Sequence, residues 1–124
     1  MHRRQLLGAA GEDLAVTHLT SAGLQIVTRN WRTSVEDVRG ELDVVALDGR
    51  TLAVIEVRTR RTATAGTAAE SVGWNKRRRL RRLTGLYLQA NPHHGPVRGD
   101  VITIDAPVAP GHPSTIVSHL RGVW

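Results

Sequence analysis

The 124-residue sequence contains no cysteine and no phenylalanine, and it has one tyrosine and three tryptophans. The absence of cysteine excludes a disulfide framework and a thiolate metal site, and it fits a reducing compartment, so we expect a cytoplasmic location. No apolar run approaches the ~20 residues that a membrane-spanning helix needs. Platforms that stack on bases generally use several exposed aromatic side chains. With so few aromatics, we expect Trp31 and Trp74 to pack in the core or in an interface.

Lysine is almost absent as well, because Lys76 is the single lysine beside sixteen arginines. So one-sided a usage indicates genome-wide codon pressure rather than selection at each position. The formal net charge is +6, and the pI is near 11.4. This balance favours an anionic partner, either a nucleic acid or an anionic membrane surface.

Hydrophobic periodicity predicts helices and strands in the order α-β-β-β-α-β. The predicted helices are residues 5–22 and 74–90, and the predicted strands are residues 24–32, 41–47, 51–59, 97–105 and 115–120, the last at an edge. Leu6, Ala10 and Leu14, with Ala15 and Leu19 as further candidates, are predicted to form the buried stripe of the first helix, which Gly23 would end. The order indicates an α/β fold in which helices flank a mixed sheet.

A chain of this length is expected to form one domain over residues 1–124. Its core would span about residues 8–105, followed by a proline-rich loop and edge strand at 106–124. Arg3 and Arg4 superficially resemble a twin-arginine export signal. Acidic residues soon interrupt the apolar stretch that such a signal needs, so we assign the amino terminus to the folded domain.

Two neighbouring predicted strands carry acidic residues on the face that they share. A two-residue turn at Asp48-Gly49 is a strong hairpin signal. In that register Asp43 lies opposite Val54, and Glu41 lies opposite Glu56. Asp43 and Glu56 are then diagonal neighbours, with a Cβ separation of about 7 Å.

Acidic groups gathered on a sheet repel each other unless a proton or a cation lies between them. One or two hard cations, held by a few carboxylates and by phosphate oxygens of the substrate, are a common solution in phosphodiester hydrolysis. Asp43 and Glu56 are therefore candidate ligands for Mg²⁺ or Mn²⁺. Arg58 lies on the same face and is a candidate phosphate contact. The alternative is that all three are solvated strand charges, with Arg58 neutralising Glu56.

An ordered set of motifs is more specific than this spacing alone. The set comprises Gly11-Glu12, Arg29-Asn30-Trp31-Arg32, Gly40-Glu41-Leu42-Asp43, Glu56-Val57-Arg58-Thr59-Arg60, Lys76 and Gly99-Asp100-Val101-Ile102. It resembles the YraN-like family of bacterial proteins, which is similar to the PD-(D/E)XK restriction-endonuclease-like superfamily and its Holliday-junction-resolvase-like branch. The resemblance covers about residues 8–105. It implies a restriction-endonuclease-like fold and metal-dependent nuclease chemistry.

By this resemblance Asp43 and Glu56 match the two metal-binding acids, and Glu12 matches a helix acid that completes the metal site. Lys76 matches a basic position on the next helix, and Arg58 stands where the family usually has a lysine. An arginine stays protonated and cannot act as a general base. It can still hold a phosphate or stabilise developing negative charge. Two interpretations stay open. Either a positive charge is all that position 58 requires, or the site no longer cleaves phosphodiester bonds. Without the resemblance, the sequence indicates only a solvated acidic residue in an early turn of the helix at Glu12.

The densest charge lies at the start of the second predicted helix. Leu80, Leu83 and Tyr87 form its buried stripe, and Lys76 lies about 40° from Leu80 around the helix axis, directed over the end of the sheet. The candidate nucleic-acid-binding residues are Lys76, Arg77, Arg78, Arg79, Arg81, Arg82 and Arg60. Outward arginines suit phosphate contacts. A solvated face that only promotes solubility is the alternative. A membrane-surface helix is disfavoured because the core needs the apolar side.

The histidines offer no comparable site. His93, His94, His112 and His119 fall in predicted loops or in the tail, and they lack the spacing of zinc ligands on a helix. We expect them at the surface.

Three functions remain open. The first is a nuclease-like protein that binds nucleic acid, DNA in preference to RNA, with catalytic candidates Asp43, Glu56, Arg58 and Lys76. The second is a non-catalytic nucleic-acid-binding module on the same scaffold, which Arg58 favours. The third is a protein-interaction adaptor whose arginines contact an acidic partner. Junction-processing relatives would imply a homodimer by analogy of fold.

Overall fold

The computed structural model describes residues 3–35, 37–60, 72–105 and 115–124. The elements in chain order are α1 (Arg3–Ser21), β1 (Gln25–Trp31), β2 (Leu42–Asp48), β3 (Thr51–Arg60), α2 (Trp74–Ala90), β4 (Val97–Asp105) and β5 (Thr115–Leu120). The predicted order is confirmed, and most element boundaries agree with the prediction within two residues. The loops predicted around residues 61–71 and 106–114 lie outside the described residues, as does His112.

The five strands form one sheet in the order β1-β2-β3-β4-β5. Strands β3 and β4 are parallel, and the other neighbouring pairs are antiparallel. A parallel pair needs a long crossover connection, and α2 lies in the connection between β3 and β4. The mixed α/β architecture is therefore confirmed. Within the described residues, no helix is long and apolar enough to cross a membrane.

The sheet buries its two faces against different helices. On the α1 face the buried residues are Ala15, Leu19, Leu24, Val44, Ala46, Ala53, Ile55, Ile102 and Ile104. On the α2 face they are Leu42, Val45, Leu52, Val54, Val72, Leu80, Leu83, Tyr87 and Val101. The alternation of β3 residues between the two sets is the period of a strand. Full burial of one leucine or valine contributes about 1.5–3 kcal/mol, so both helices are held mainly by these apolar contacts.

Helix α1 buries most of the described part of its predicted stripe. Ala15 and Leu19 are fully buried, and the half-buried Leu14 packs against the same cluster. Ala10 is exposed, so its predicted burial was wrong. The reason is Gly11, which is buried and lies one turn before Ala15. Its missing side chain lets the α1 backbone approach Thr59 of β3 closely.

We expect Gly11→Ala to lower the free energy of unfolding by about 1–3 kcal/mol, the usual cost of overpacking. An added Cβ would overlap Thr59 Oγ1, while its next neighbour, Thr59 Cβ, is 3.6 Å away. Alanine is the better helix former by about 1 kcal/mol, so a loss of stability would report the close approach. Urea unfolding of Gly11→Ala, Thr59→Ala and the double variant tests this. Recovery in the double variant is expected, and a Gly11→Ala variant as stable as the wild type would contradict the contact.

The hairpin of β2 and β3 has a register two residues away from the predicted one. Asp48 pairs with Thr51 and Leu47 pairs with Leu52, so the turn residues are Gly49 and Arg50. Gly49 has φ +61°, which suits the first central position of a type II′ turn. The observed register also pairs apolar residues across the strands, whereas the predicted register placed Leu47 against Arg50. A shift of two residues leaves every side chain on its predicted face.

The carboxylate of Asp100 joins β4 to β5 and to the chain that follows. Asp100 is fully buried, and it accepts hydrogen bonds from Arg98 Nε (3.1 Å) and from the Gly122 backbone N–H (3.1 Å). His119 Nε2 lies 3.0 Å from the other carboxylate oxygen, and the His119 side chain is only 9% exposed. The prediction of a surface position was wrong for His119. Strand pairing in β5 turns its side chain toward Asp100.

Candidate metal centre

Four carboxylates meet at the end of the hairpin that is remote from its turn. Glu12 comes from α1, Glu41 directly precedes β2, Asp43 lies in β2 and Glu56 lies in β3. Oxygen atoms of Glu12, Glu41 and Asp43 all lie within 4.8 Å of one another. The two-residue change of register places Glu56 next to the end of the β2–β3 ladder, beside Asp43 rather than diagonal to it. The predicted gathering of Glu12, Asp43 and Glu56 is what the geometry shows.

Asp43 occupies the most electrostatically costly position of this group. Its Oδ2 accepts a hydrogen bond of 2.8 Å from the Val57 backbone N–H. Burial and, after it, the neighbouring Glu56 carboxylate raise the pKa of Asp43 to about 8. The Val57 hydrogen bond opposes the rise without cancelling it. The carboxyl group therefore retains a proton near neutral pH when no cation is present.

Glu12 and Glu41 are held by groups of β1 and the segment after it. Burial raises the pKa of Glu12, with Glu41 as the next contribution, and a hydrogen bond with Asn30 opposes that rise. Asn30 has φ +54°, a left-handed conformation that asparagine tolerates better than most residues. Glu41 Oε2 accepts a 2.9 Å hydrogen bond from Arg32 Nε. Each acid is thus oriented from β1 toward the shared space.

Glu56 is the most deeply buried acid of the group, with a side chain only 5% exposed. Its Oε1 lies 3.4 Å from Lys76 Nζ and 3.9 Å from Arg58 Nη1. Its Oε2 is buried and has no hydrogen-bond partner within the described residues. An ionised oxygen left without a partner is expensive inside a protein. A cation bound between Glu56 and Asp43 would satisfy it.

The donor set fits a hard divalent cation. Carboxylate oxygens are the ligands that Mg²⁺ and Mn²⁺ prefer. Here Glu56 Oε2 is buried without a partner among the described residues, and the pKa values of Asp43 and Glu12 are raised. Mg²⁺ usually keeps several waters and uses few carboxylates. Asp43 with Glu56, assisted by Glu12 and Glu41, would supply such a set.

Glu41 is the ligand candidate that sequence reasoning missed. It precedes Asp43 by two residues, so the period of a strand places both side chains on one face. The predicted register instead places Glu41 opposite Glu56 across the hairpin. The observed register separates this pair and directs Glu41 toward α1, where Glu12 lies.

The basic helix places its charges around the carboxylates unevenly. Lys76 reaches Glu56, whereas Arg78, Arg79, Arg81 and Arg82 are exposed. Arg77 donates a 2.9 Å hydrogen bond from Nε to the Val72 carbonyl oxygen. Arg60, the remaining predicted contact, is largely buried, and its Nε lies 3.0 Å from Asp105 Oδ1.

The two tryptophans that we expected to be packed differ in environment. Trp31 packs edge-to-face on Tyr87, with ring centroids 5.3 Å apart, so its core position is confirmed. Trp74 is 75% exposed, so it does not pack in the core, and its expected position in an interface stays a prediction. Trp74 is the first residue of α2, and a side chain in that position projects past the apolar stripe that holds the helix.

We expect Asp43→Asn to stabilise the metal-free protein, and to do so more at high pH. The ordinary pKa of the group is 3.8 and its folded value is about 8. A raised folded pKa means that stability is complete below the ordinary value and is lost as the pH rises through the folded value. The gain should reach the order of a few kcal/mol above about pH 8. Urea unfolding in a chelator at acidic and alkaline pH measures it. A gain that does not depend on pH would contradict the assignment.

Comparison with known proteins agrees with the motif resemblance. The model of the uncharacterised protein family UPF0102 matches residues 11–104. A UPF0102 protein of Kineococcus radiotolerans is 47% identical over 122 residues, which are 97% of this chain and 94% of that protein. A UPF0102 protein of Nocardia farcinica is 44% identical, covering 98% of this chain and 91% of that protein. A third, from Pseudarthrobacter chlorophenolicus, is 45% identical, covering 99% and 89%. The chain therefore belongs to the UPF0102 family, the YraN-like family that its motifs resemble.

Proposed function

We propose that this protein is a metal-dependent nuclease that hydrolyses phosphodiester bonds, with DNA as the preferred nucleic acid. The observation that carries the proposal is the meeting of four carboxylates beside Lys76 and Arg58, at the start of a helix with exposed arginines. When bound, a Mg²⁺ or Mn²⁺ ion lowers the pKa of an attacking water and offsets negative charge on the phosphate. Asp43 and Glu56 would hold the ion, and Glu12 and Glu41 would complete its surroundings.

The approach to this centre suits an anionic chain. A cleft of about 520 Å³ opens beside Glu41 and is also lined by Arg32 and Arg39. The exposed Arg79 of α2 lies beside Gly40, which lines the same cleft. Arginine binds phosphate oxygens with two parallel hydrogen bonds and without regard to base sequence. We infer that these arginines position the backbone while the acids act on one phosphate.

Lys76 is the candidate for the amine that the family motif usually places at position 58. Its Nζ is nearer to Glu56 Oε1, at 3.4 Å, than Arg58 Nη1, at 3.9 Å. A lysine can orient the attacking water or take its proton, whereas an arginine stays charged. Arg58 would then stabilise the negative charge that develops on the phosphate. In this arrangement Lys76 acts on the attacking water and Arg58 acts on the phosphate.

Cleavage of branched and linear DNA and RNA in Mg²⁺ and in Mn²⁺ tests the proposal. Wild type, Arg58→Lys and Lys76→Met are compared, with Arg50→Lys, at the exposed turn, as the matched control. We expect cleavage by wild type, a loss of about 10²-fold or more in Lys76→Met, and little change in the control. Absence of cleavage by wild type and by Arg58→Lys would contradict a nuclease.

The second candidate is a non-catalytic nucleic-acid-binding module, and Arg58 is the observation that favours it. In that case wild type binds nucleic acid without cleaving it, and cleavage appears only in Arg58→Lys. The logarithm of the affinity should fall linearly with the logarithm of the salt concentration for either candidate. If the protein binds no nucleic acid even at low salt, the nuclease and the binding module are both excluded. The protein-interaction adaptor is then left.

A further inference from the structure

Trp74 is the most exposed of the large apolar side chains of the described residues, at 75%, against 46% for Val27 and 39% for Val97. Indole surface of this size is costly to leave in water, since apolar burial is worth about 25 cal/mol per Å². Trp74 lies opposite the stripe of Leu80, Leu83 and Tyr87 that packs α2 on the sheet. It contributes nothing to that packing, so its ring is available to a partner.

Trp74 shares its face of α2 with arginines. Each helical residue turns by about 100°, which places Arg78 about 40° to one side of Trp74 and Arg81 about 20° to the other. All three side chains are exposed. The rise of 1.5 Å per residue separates Trp74 from Arg78 by about 6 Å along the axis. We call Trp74, Arg78 and Arg81 the outer stripe.

The outer stripe begins at the end of α2 from which Lys76 reaches the carboxylate centre, with Trp74 about 160° from Lys76 around the helix axis. Lys76, two residues after Trp74, reaches Glu56 at 3.4 Å. Side chains on a helix lean toward its amino terminus, so the indole lies at the end of α2 from which Lys76 reaches the acids. A nucleic-acid strand that leaves the carboxylate centre and passes around this end of α2 would meet Trp74 first and the arginines next.

An aromatic ring followed by arginines on one helix face matches a nucleic-acid strand better than a protein or a lipid surface, because rings stack on bases and arginines bind phosphates. Duplex bases are stacked on each other and cannot be covered by a ring from outside. Resting on the proposed nucleic-acid function, we propose that Trp74 stacks on an unpaired base of a single-stranded segment whose phosphates bind Arg78 and Arg81. The substrate class is then nucleic acid with a single-stranded portion at the cleavage site.

The affinity of the protein for oligonucleotides of about 20 nucleotides tests the inference. Fluorescence anisotropy is measured in a chelator, so that cleavage cannot interfere, with a single strand, its duplex and an abasic strand that retains the phosphates. Trp74→Ala should weaken binding of the single strand about fivefold to a hundredfold. Trp74→Phe should restore most of the affinity, and binding of the duplex and of the abasic strand should change less than about twofold. Val27→Ala, at an exposed apolar residue of β1, is the control.

The outcomes separate this inference from the function on which it rests. Wild type that binds none of the three probes contradicts the nucleic-acid function itself. Wild type that binds them all while Trp74→Ala binds the single strand equally well overturns only the inference. Trp74-dependent binding to vesicles of phosphatidylserine and phosphatidylcholine, without Trp74-dependent binding to the single strand, also overturns it. Quenching of tryptophan fluorescence by the single strand, reduced in Trp74→Phe, is the expected second readout.

Discussion

Replacing Asp43 by asparagine is expected to reduce metal-dependent cleavage by about 10²–10⁴-fold, the scale of the several kcal/mol that an active-site cation contributes. Asp43 is the acid on which the others converge, since it lies within reach of Glu12 and Glu41 and beside Glu56. Asparagine has nearly the same shape and can still accept the Val57 hydrogen bond. It lacks the charge that would hold the cation, so the loss should fall on cleavage rather than on folding. Initial rates at saturating Mn²⁺ measure it.

Asp37→Asn is the matched control for this experiment. It is the same chemical change at an exposed position in the loop before the centre. Asp37 has φ +69°, a conformation that asparagine also tolerates. Its rate should equal that of the wild type within about twofold. Equal losses in Asp37→Asn and Asp43→Asn would show that the effect is not specific to the carboxylate centre.

Replacing Asp100 by alanine is expected to lower the free energy of unfolding by about 3–5 kcal/mol. The variant removes the buried acceptor of Arg98 Nε, His119 and the Gly122 N–H, while Arg98 Nη1 keeps its ion pair with Asp48 at 2.9 Å. The cost is that of three buried donors left unpaired, at about 1–3 kcal/mol each. Asp13→Ala is the control, because its ion pair with Arg29 involves a side chain that is 70% exposed. The control should lose less than about 1 kcal/mol.

The stability contributed by Asp100 should disappear in acid. Burial alone would raise its pKa, but the hydrogen bonds from His119 and Gly122 and the charge of Arg98 lower it below the ordinary value of 3.8. A lowered folded pKa gives stability that is present above the ordinary value and is lost as the pH falls through the folded value. Urea midpoints of wild type and Asp100→Ala should therefore differ at about pH 7 and converge in strong acid. A difference that persists in strong acid would show that packing, not charge, is responsible.

Most of the fold was predictable because local signals agreed with tertiary demands. The α2 helix, β4 and β5 have the predicted boundaries, since Asn91-Pro92 ends the helix and β-branched residues fill the strands. The apolar spacing of α1 predicted the burial of Ala15 and Leu19 but not the exposure of Ala10. Gly11 is buried instead of Ala10, and its role depends on the distant Thr59 of β3. Periodicity within one element cannot report a close approach to another.

The candidate site was predictable to the level of which acids share a face. The period of the strands placed Asp43 and Glu56 together although the turn was assigned one position too early. That error changes the cross-strand register by two residues, and a shift of two preserves faces. Glu41 was missed because its neighbour Glu12 lies on α1, and the pattern of the hairpin does not report that contact. The buried network of Asp100 and His119 needs the pairing of β4 with β5, and no local pattern reveals it.

Binding of Mn²⁺, measured by isothermal titration calorimetry on the chelator-treated protein, tests the central claim most directly. We predict that wild type and Asp37→Asn bind Mn²⁺ with release of protons, because Asp43, whose pKa is raised to about 8, must lose its proton to serve as a ligand. Asp43→Asn should bind at least about tenfold more weakly and release fewer protons. Failure of the wild type to bind Mn²⁺, or equal binding by wild type and Asp43→Asn, would contradict a metal centre at these four carboxylates.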